Sequence, residues 1–489
     1  MASSDHTFPF TLFARVMSSQ KKRRRSTVAP LHVVCDAAVT GSGTAAAARQ
    51  GRSAGGDGEL WDLSKPPPRG VSSSASLREA PKSAAVAVLL EVARAKALDR
   101  LRKVLHALCS ARGLEAPPQL ALERWRFACK LAEELGDKHP AAREPLLPCR
   151  PDGASLVRDL LRSGLDEAAS SEVAAALGTA SATAAGELVA LSRRLASAPP
   201  AVSVTVQRSR RSLALSCNGE RVIITHAAYG KLVALHRQHG LASERIPAEV
   251  PLPADPELYA AFHQRMFALL LRYKTLHGHG FQAAAGPPVF RVLAQHLGGA
   301  AFETFASPLN ARHMRFCSAF SDTDAPFGSY GSFFGFDASS GVFELNPPFV
   351  PDLMDAALAR CLGQLTAAES AARSLTFAVL LPGWEEQAAV TSARASVYLR
   401  LEVAISAADH GFVDGASHAR QDPFRSSPWP TLVFILQTSA AAATSPLNLI
   451  TLEADLRDAF AFCVPSAAAL VRQKRAPKGQ GAQKGTKAR

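Results

Sequence analysis

The order of helical and strand patterns between residues 287 and 437 limits the folds available to this chain. Segments with helical periodicity alternate with short runs of apolar, β-branched and aromatic residues, which is typical of a parallel, doubly wound sheet. The predicted strands are 301–306, 342–345 and 375–381, followed by a closing pair at 398–405 and 431–437. The predicted helices between them are 288–297, 312–320 and 352–365. The sequence therefore predicts an α/β fold.

Each of the first three predicted strands ends in a loop that contains proline. These loops are Ser307-Pro308-Leu309-Asn310, Asn346-Pro347-Pro348-Phe349 and Pro382-Gly383-Trp384. Proline fixes its own φ angle and restricts the residue before it, so the double-proline loop is rigid and extended. Because the carboxyl ends of parallel strands share one edge of a sheet, we expect all three loops to line one ligand-binding crevice.

The loop at 346–349 suits one kind of chemistry, the alkylation of an amino group conjugated to a heteroaromatic ring. The lone pair of such a nitrogen is drawn into the ring, so accepting both N–H hydrogens in a tetrahedral geometry makes it a better nucleophile. The carboxamide oxygen of Asn346 can accept one hydrogen and the carbonyl of Pro347 the other. Phe349 can stack on the base. The alternative interpretation is a Pro-Pro kink between a strand and a helix, with no chemical role.

Composition points to a polyanionic partner. The net charge is +13, with an isoelectric point near 9.6, which favours nucleic acid first and an acidic membrane surface second. The eight cysteines have no C-x-x-C spacing, so we expect reduced thiols and no zinc module or other metal site. The apolar runs are too short for a membrane span, and we expect no membrane partner. The run from Lys21 to Arg25 predicts a nuclear localisation signal, with an organellar transit peptide as the alternative.

The pattern along the chain predicts four regions. Residues 1–82 are rich in Ser, Ala, Gly and Arg and are predicted to be disordered and basic; residues 83–198 have helical periodicity and are predicted to be a helical domain. Residues 199–470 are predicted to contain a leading hairpin, helices and the sheet, and residues 471–489 a disordered basic tail. Asn218-Gly219 between two period-two segments is the strongest hairpin signal in the chain.

Several of these segments together resemble one known family. They are Phe305-Ala306-Ser307-Pro308-Leu309-Asn310, the run 317–324, Phe327-Gly328, the run 343–349, Leu353-Met354-Asp355 and Leu381-Pro382-Gly383-Trp384. This set resembles the catalytic core of the phosphorylated-CTD-interacting-factor family, the cap-specific adenosine N6-methyltransferases. The resemblance implies a Rossmann-like class I methyltransferase core preceded by an α-helical domain. It also implies that S-adenosylmethionine is the methyl donor and that the acceptor is N6 of the adenosine (2'-O-methyladenosine) adjacent to the 7-methylguanosine cap of mRNA.

The resemblance assigns roles to residues of this chain. The implied catalytic residues are Asn346, Pro347, Pro348 and Phe349. The implied cofactor-binding residues are Phe305, Ala306, Ser307, Pro308, Leu309 and Asn310, with Asp322 and Asp324 as candidates for the ribose hydroxyls or as ordinary turn aspartates. The implied substrate-binding residues are Phe349, Pro382, Gly383 and Trp384. The chain departs from the family at two places: Val350-Pro351 replaces an acid, with Asp352 the nearest substitute, and Gly383 replaces another acid.

Two other functions stay open on the sequence. The same chemistry could act on internal RNA adenosine or DNA adenine, or the chain could be an inactive scaffold that binds capped RNA. The expected partner is capped mRNA in the nucleus. Binding of the RNA polymerase II C-terminal domain is doubtful, because a WW module needs two tryptophans about twenty residues apart and the N-terminal region has only Trp61.

Overall fold

The computed structural model describes residues 60–67, 71–72, 83–136, 144–148, 153–198, 201–246, 259–277, 279–420 and 422–466. All of them belong to one compact unit that begins at Ala54. Most of the predicted disordered region 1–82, the basic run Lys21 to Arg25 and the whole tail 471–489 lie outside the described residues. The predicted domain boundaries therefore stay predictions.

The described elements alternate in type after residue 287. The helices are α1 Ala84–Ser110, α2 Ala121–Leu135, α3 Ala154–Arg162, α4 Glu167–Ser197, α5 His226–His239, α6 Ala260–Thr275, α7 Pro287–Leu297, α8 Ser321–Asp324, α9 Pro351–Ser370, α10 Ala388–Arg394, α11 Ser439–Thr444 and α12 Leu449–Ala461. The strands are β1 Val71–Ser72, β2 Thr205–Arg208, β3 Ser212–Cys217, β4 Glu220–Thr225, β5 Phe302–Glu303, β6 Asp337–Ala338, β7 Gly341–Leu345, β8 Leu375–Pro382, β9 Leu399–Ile405, β10 Gly411–Val413, β11 Phe424–Ser426 and β12 Thr431–Gln437.

The first six helices share one hydrophobic core with the β2–β3–β4 sheet. Helix α1 begins at a Ser83 cap, whose hydroxyl accepts from the Val86 amide, and packs on α4 and α6. Trp125 of α2 is fully buried in this core, as are Leu98 and Phe262. The core also reaches Leu309 and Phe327, so it extends to the loops that follow β5.

Helix α4 is long and apolar enough to cross a membrane by length and composition alone. Core helices of soluble proteins meet the same criterion, and 44% of its most apolar window is buried inside the structure. Val173, Leu177 and Leu188 pack into the core that α1 also lines.

The predicted hairpin is confirmed. Asn218 and Gly219 have φ angles of 48° and 85°, the left-handed values that a two-residue type I′ turn requires. Strands β3 and β4 pair antiparallel from Ser212↔Thr225 to Cys217↔Glu220. Thr225 then caps α5 by accepting from the Ala228 amide.

The main sheet is mixed, in the order β5-β7-β8-β12-β9. Strands β5, β7 and β8 are parallel neighbours, and β12 is antiparallel to both β8 and β9. The expected antiparallel closing pair at 398–405 and 431–437 is thus present. One face of the sheet, with Phe343 and Phe377, packs on α9 and α10; the other, with Val342 and Leu380, packs on α7 and α12.

Two local predictions around β5 are wrong. The predicted strand 301–306 is reduced to Phe302–Glu303, and 312–320 is not a helix. Instead, Cys317 donates to the Glu303 carbonyl and Ala306 donates to the Cys317 carbonyl, which forms an isolated bridge between Ala306 and Ser318. The backbone groups that a helix would bond internally are bonded here to the chain just after β5, because burial requires each of them to find a partner.

Candidate functional site

The three proline-containing loops lie at one edge of the sheet, as the sequence predicts. Phe302 and Glu303 pair in parallel register with Phe343 and Glu344, and Leu345 pairs with Val379 of β8. All three strands therefore end on the same side. The Thr304 amide, at 3.0 Å, and its hydroxyl, at 2.8 Å, both donate to the Glu344 carbonyl, which ties the start of one loop to the strand that leads into the next.

The side chain of Asn346 is fixed through its amide nitrogen. Its side chain is 7% exposed, and its Nδ2 donates to the Ala283 carbonyl at 3.3 Å. An amide bonded through nitrogen presents its oxygen in the opposite direction, and no donor among the described residues is bonded to Oδ1. The Val350 amide donates to the Pro348 carbonyl at 2.7 Å, whereas the carbonyl of Pro347 has no donor within the described part of the chain. Both predicted acceptors of the amine hydrogens are therefore available.

The loop 307–310 is closed by the side chain of Asn310. Asn310 Oδ1 accepts from the Ser307 amide at 2.7 Å and from the Ser307 hydroxyl at 2.8 Å. Its Nδ2 donates to the Gln282 carbonyl at 2.9 Å. Asn310 and Asn346 are thus bonded to consecutive carbonyls of one segment, which brings the candidate cofactor loop next to the candidate catalytic loop.

That bridging segment, 282–284, has no motif that predicts its role. Ala284 forms a two-way backbone pair with Val413 of β10, with N···O distances of 3.1 and 2.9 Å. The segment therefore runs between the two asparagines and the β10–β11 ribbon. Only the folded chain shows this, because residues 282–284 and 413 are far apart in sequence.

An aromatic wall stands beside Asn346. The ring of Phe349 packs edge-on against Trp384 at 6.3 Å and against Phe412 at 6.5 Å, and Trp384 packs edge-on against Trp429 at 5.9 Å. Trp429 is 47% exposed. The predicted substrate residues Phe349 and Trp384 are therefore together, and sequence reasoning missed Trp429, whose signal was a tryptophan between two prolines just before β12.

Helix α2 packs near the same edge. Leu131 forms an apolar cluster with Val350 and Leu353, and Phe305, Phe281 and Phe334 pack against it. Phe127 of α2 meets Phe281 edge-on at 5.7 Å. The helical part of the chain therefore closes one side of the candidate site.

The two candidate ribose aspartates are placed differently. Asp324 is fully buried, accepts from the Tyr273 hydroxyl at 2.6 Å, and burial raises its pKa to about 7. Asp322 is bonded to Arg272 at 2.8 and 3.2 Å and keeps 20% of its side chain exposed. Burial acts to raise the pKa of Asp322, but the Arg272 and Arg94 guanidiniums outweigh it and hold that pKa below its ordinary value. This placement favours Asp322 over Asp324 as a group that meets a ligand.

The two departures from the family have local structural explanations. Asp352, the nearest acid to the missing one, is ion-paired with Arg158 of α3 at 2.5 Å, and both side chains are partly exposed. A Cβ atom at Gly383 would lie 3.0 Å from the Cβ of Pro430, so a larger side chain requires the loop before β12 to shift. Pro382 is buried at the end of β8, directly before this glycine.

Two buried acids next to Asn346 were not predicted as site residues. Glu303 and Glu344 are register partners on β5 and β7, and each is 2% exposed. Burial raises the pKa of Glu303, against the backbone amides of Arg312 and His313 and the charge of Lys231. Burial and the neighbouring Glu303 raise the pKa of Glu344 well above its ordinary value, while a hydrogen bond from the Asn346 side chain acts against this. Each acid lies in a strand segment whose other residues are mostly apolar, so the sequence alone does not predict a role for either one.

No group of three or more His, Cys, Asp or Glu side chains within the described residues is placed to hold a metal ion. The six cysteines in the described ranges are buried and form no disulfide with one another.

Comparison with known proteins agrees with the resemblance seen in the sequence. Residues 253–415 match the family model described as the phosphorylated CTD interacting factor 1 WW domain. That segment holds one tryptophan, Trp384. An mRNA (2'-O-methyladenosine-N(6)-)-methyltransferase of Mus musculus is 34% identical over 234 residues, which cover 46% of this chain and 31% of that protein.

A protein of the same name from Homo sapiens is 32% identical over 277 residues, covering 54% of this chain and 37% of that protein. This chain thus matches about a third of the length of each relative. The matches confirm the resemblance carried by the residues around Asn346: residues 253–415 of this chain are similar to the phosphorylated CTD interacting factor 1 family.

Proposed function

We propose that this chain uses S-adenosylmethionine to methylate N6 of the adenosine next to the 7-methylguanosine cap of mRNA, with 2'-O-methyladenosine as the acceptor. The observation that carries the proposal is the Asn346 carboxamide at the end of a buried parallel strand. Its nitrogen is bonded to Ala283, and among the residues that the structure describes none donates to its oxygen. The activity for which the mouse and human relatives are named supports this choice of substrate.

A Rossmann-like class I methyltransferase core preceded by a helical domain is part of the same proposal. Its support is the parallel trio β5, β7 and β8 with β12 inserted antiparallel before β9. The helices on both faces of the sheet and the helices α1 to α6, which precede them in the chain, agree with this architecture.

The residues at the sheet edge fit a nucleoside cofactor. The Ser307–Asn310 loop is fixed by its own hydrogen bonds, Phe305 offers a partly exposed ring beside Phe333 and Phe334, and Asp322 offers a carboxylate. Bound there, S-adenosylmethionine would supply an electrophilic methyl group. The chain's own part is to hold and orient the cofactor, since hydrogen bonds between Ser307 and Asn310 fix the shape of the loop.

The acceptor base would lie between Asn346 and the aromatic wall. Asn346 Oδ1 and the Pro347 carbonyl would each accept one N6 hydrogen, which turns the nitrogen lone pair away from the ring. Phe349 would stack on the adenine, and Trp384 with Trp429 would offer further stacking surface toward the cap. When the methyl group moves to N6, the nitrogen becomes positively charged and loses a proton readily, so water is a sufficient acceptor.

Nuclear location is proposed on the basic run Lys21 to Arg25 and the net charge of +13. The same charge suits capped mRNA as a partner. The name of the matching family model refers to a factor that interacts with a phosphorylated CTD. We leave that interaction out of the proposal, because the N-terminal region offers one tryptophan where a WW module needs two.

The test is methyl transfer to short RNAs that begin with 2'-O-methyladenosine, adenosine or guanosine, each with and without the cap. We expect N6-methyladenosine at the first position of capped, adenosine-initiated RNA, detected by mass spectrometry of the released cap dinucleotide. Asn346→Ala should abolish transfer, while Asn448→Ala, which removes only the exposed cap of α12, should not. Equal transfer to uncapped or internal adenosines would redirect the proposal to another adenine substrate. Full activity of Asn346→Ala would rule out the catalytic role proposed for Asn346.

A further inference from the structure

Glu344 is placed to act on Asn346. In a strand, side chains two residues apart point to the same face, so Glu344 and Asn346 share the face that Val342 also occupies. Phe343 and Leu345 point to the opposite face and pack with α9. Glu344 is 2% exposed and so does not meet solvent itself.

Glu303, the acid next to Glu344, already has hydrogen-bond partners. Glu303 Oε2 accepts from the Arg312 amide at 2.6 Å and from the His313 amide at 3.2 Å. Lys231, also buried, donates to the Ala311 carbonyl at 2.7 Å and faces Glu303 with its charge. The nearby cationic and backbone donors thus serve Glu303, and Glu344 lies beside an acid rather than beside a base.

This environment favours the neutral form of Glu344. A buried carboxyl next to a second carboxyl holds its proton, and the pKa of Glu344 lies well above its ordinary value. A neutral carboxyl still has a carbonyl oxygen that can accept a hydrogen bond. The Asn346 side chain interacts with this carboxyl, and Asn346 Nδ2 donates to the Ala283 carbonyl at 3.3 Å.

One hydrogen of Asn346 Nδ2 is therefore used by the Ala283 carbonyl, and the Glu344 carboxyl lies beside the same side chain. We propose that Glu344 is a positioning residue that, together with the Ala283 carbonyl, keeps the Asn346 carboxamide oxygen turned toward the substrate amine. The inference rests on the proposed function, because it gives Asn346 Oδ1 the amine of the adenine as its partner. A carboxamide that rotates by half a turn presents NH₂ to the amine, which replaces an acceptor by a donor and opposes binding in the reactive geometry.

The role makes a distinct kinetic prediction. A residue that orients Asn346 affects the rate of transfer and leaves the cofactor loop and the aromatic wall intact. A residue that merely fills the core affects stability, and any loss of activity then follows the loss of folded protein. Losing one hydrogen bond that stabilises the transition state lowers the rate of methyl transfer by about tenfold.

The experiment compares four variants of the full chain with wild type. Glu344→Gln keeps an oxygen that can accept from Asn346, Glu344→Leu removes it, and Glu344→Asp withdraws the carboxyl by one methylene. Glu402→Leu, on β9 in an ion pair with Arg394, is the control for replacing a glutamate in the sheet. Steady-state transfer to capped, adenosine-initiated RNA is measured with calorimetric binding of S-adenosylmethionine and thermal unfolding of each variant.

We expect Glu344→Leu and Glu344→Asp to lower kcat by about tenfold or more, with the KM for RNA and the cofactor affinity within about twofold of wild type. We expect Glu344→Gln to retain kcat within about threefold and Glu402→Leu to match wild type. If Glu344→Leu does not fold, Glu344→Asp carries the test, because it keeps a buried acid.

Wild-type kcat in Glu344→Leu or Glu344→Asp would overturn the positioning role. So would an equal loss in Glu344→Gln, since that would assign the effect to the acid itself. A wild-type protein that transfers no methyl group to any adenosine substrate would instead overturn the proposed function, and this inference with it.

Discussion

At the scale of single residues, the candidate site is organised by two asparagines that bond to adjacent carbonyls. Asn346 donates to Ala283 and Asn310 donates to Gln282, and each asparagine belongs to a different loop at the sheet edge. The segment 282–283 therefore sets the position of the candidate cofactor loop relative to the candidate catalytic loop. Side-chain amides suit this role because each one has donors for the segment and an acceptor for its own loop or for a ligand.

Asn310 gives a test of that arrangement. Asn310→Ala removes the acceptor of the Ser307 amide and hydroxyl and the donor to Gln282, so the loop loses its closure. We expect calorimetry to show that the affinity for S-adenosylmethionine falls by about tenfold, which equals a loss of about 1.4 kcal/mol in binding free energy. Asn310→Asp keeps the acceptor for Ser307 and should lose less affinity than Asn310→Ala. Unchanged affinity in Asn310→Ala would separate this loop from the cofactor.

At the scale of elements, the β10–β11 ribbon supports the aromatic wall. Phe412 of β10 contacts Phe349, and Val413 of the same strand pairs with Ala284 of the bridging segment. The carbonyl of Cys463, after α12, lies against Gly411 at the start of β10. The ribbon is thus held between the end of the chain's last described helix and the candidate site.

Gly411→Ala tests this contact. A Cβ atom at Gly411 would lie 2.1 Å from the Cys463 carbonyl oxygen and 2.8 Å from the Arg425 carbonyl oxygen, both of them backbone atoms. We expect the free energy of unfolding to fall by about 2 kcal/mol or more, measured by urea denaturation, and methyl transfer to weaken as the ribbon shifts.

Gly186→Ala is the matched control, because nothing lies within 4 Å of its added Cβ in α4. It should raise the unfolding free energy by about 0.5–1 kcal/mol, the usual gain for alanine over glycine in a helix. Equal effects of the two substitutions would contradict the assigned contact at Gly411.

At the scale of the whole molecule, buried charge links the helical part of the chain to the loops after β5. Arg272 of α6 is fully buried and bonds to Glu91 of α1 and to Asp322, which follows the candidate cofactor loop. Arg94 joins the same group through Glu91 and Glu144. Removing one member of such a group leaves the others buried without a partner, which costs more than the ion pair itself contributes.

Arg272→Met should therefore lower the unfolding free energy by about 3 kcal/mol or more and release Asp322. Arg457→Met, which breaks the exposed pair with Glu453, should cost less than about 1 kcal/mol. Chemical denaturation of both variants provides the comparison. Similar costs for the two would show that the buried network does not support the fold.

Buried histidines give the unfolding free energy a pH dependence that can be isolated by substitution. His236 is fully buried with both ring nitrogens unbonded in the described residues, and burial lowers its pKa from 6.5 to about 4. Between those values the unfolded chain takes up a proton that the folded chain does not. The contribution of neutral His236 to the free energy of unfolding is therefore fully present above pH 6.5 and is lost as the pH falls toward 4.

His236→Leu removes that contribution. Each pH unit in this window is worth about 1.4 kcal/mol per group, so the variant's unfolding free energy relative to wild type should rise by about 2 kcal/mol between pH 7.5 and pH 5. His106→Leu, at an exposed position of α1, is the matched control for loss of one imidazole. A constant difference between His236→Leu and wild type across this range would contradict the burial effect.

The sequence by itself determined the features that depend on near neighbours. Periodicity gave β8, β9 and β12 and helices α7 and α9, and Asn218-Gly219 gave the hairpin, because each pattern acts within a few residues. The parallel order of three strands also placed their proline-containing loops at one edge, since strand direction follows from the alternation with helices.

The tertiary structure decided what depends on distant partners. The path of 312–320 is set by hydrogen bonds to Glu303 and Ala306, which override local helical periodicity. The pairing of Glu303 with Glu344, the bridge at 282–284 and the place of Trp429 beside Trp384 join residues 28 or more positions apart. Local patterns carry no information about such contacts, because the free energy that fixes them comes from burial and hydrogen bonding that exist only once the sheet has formed.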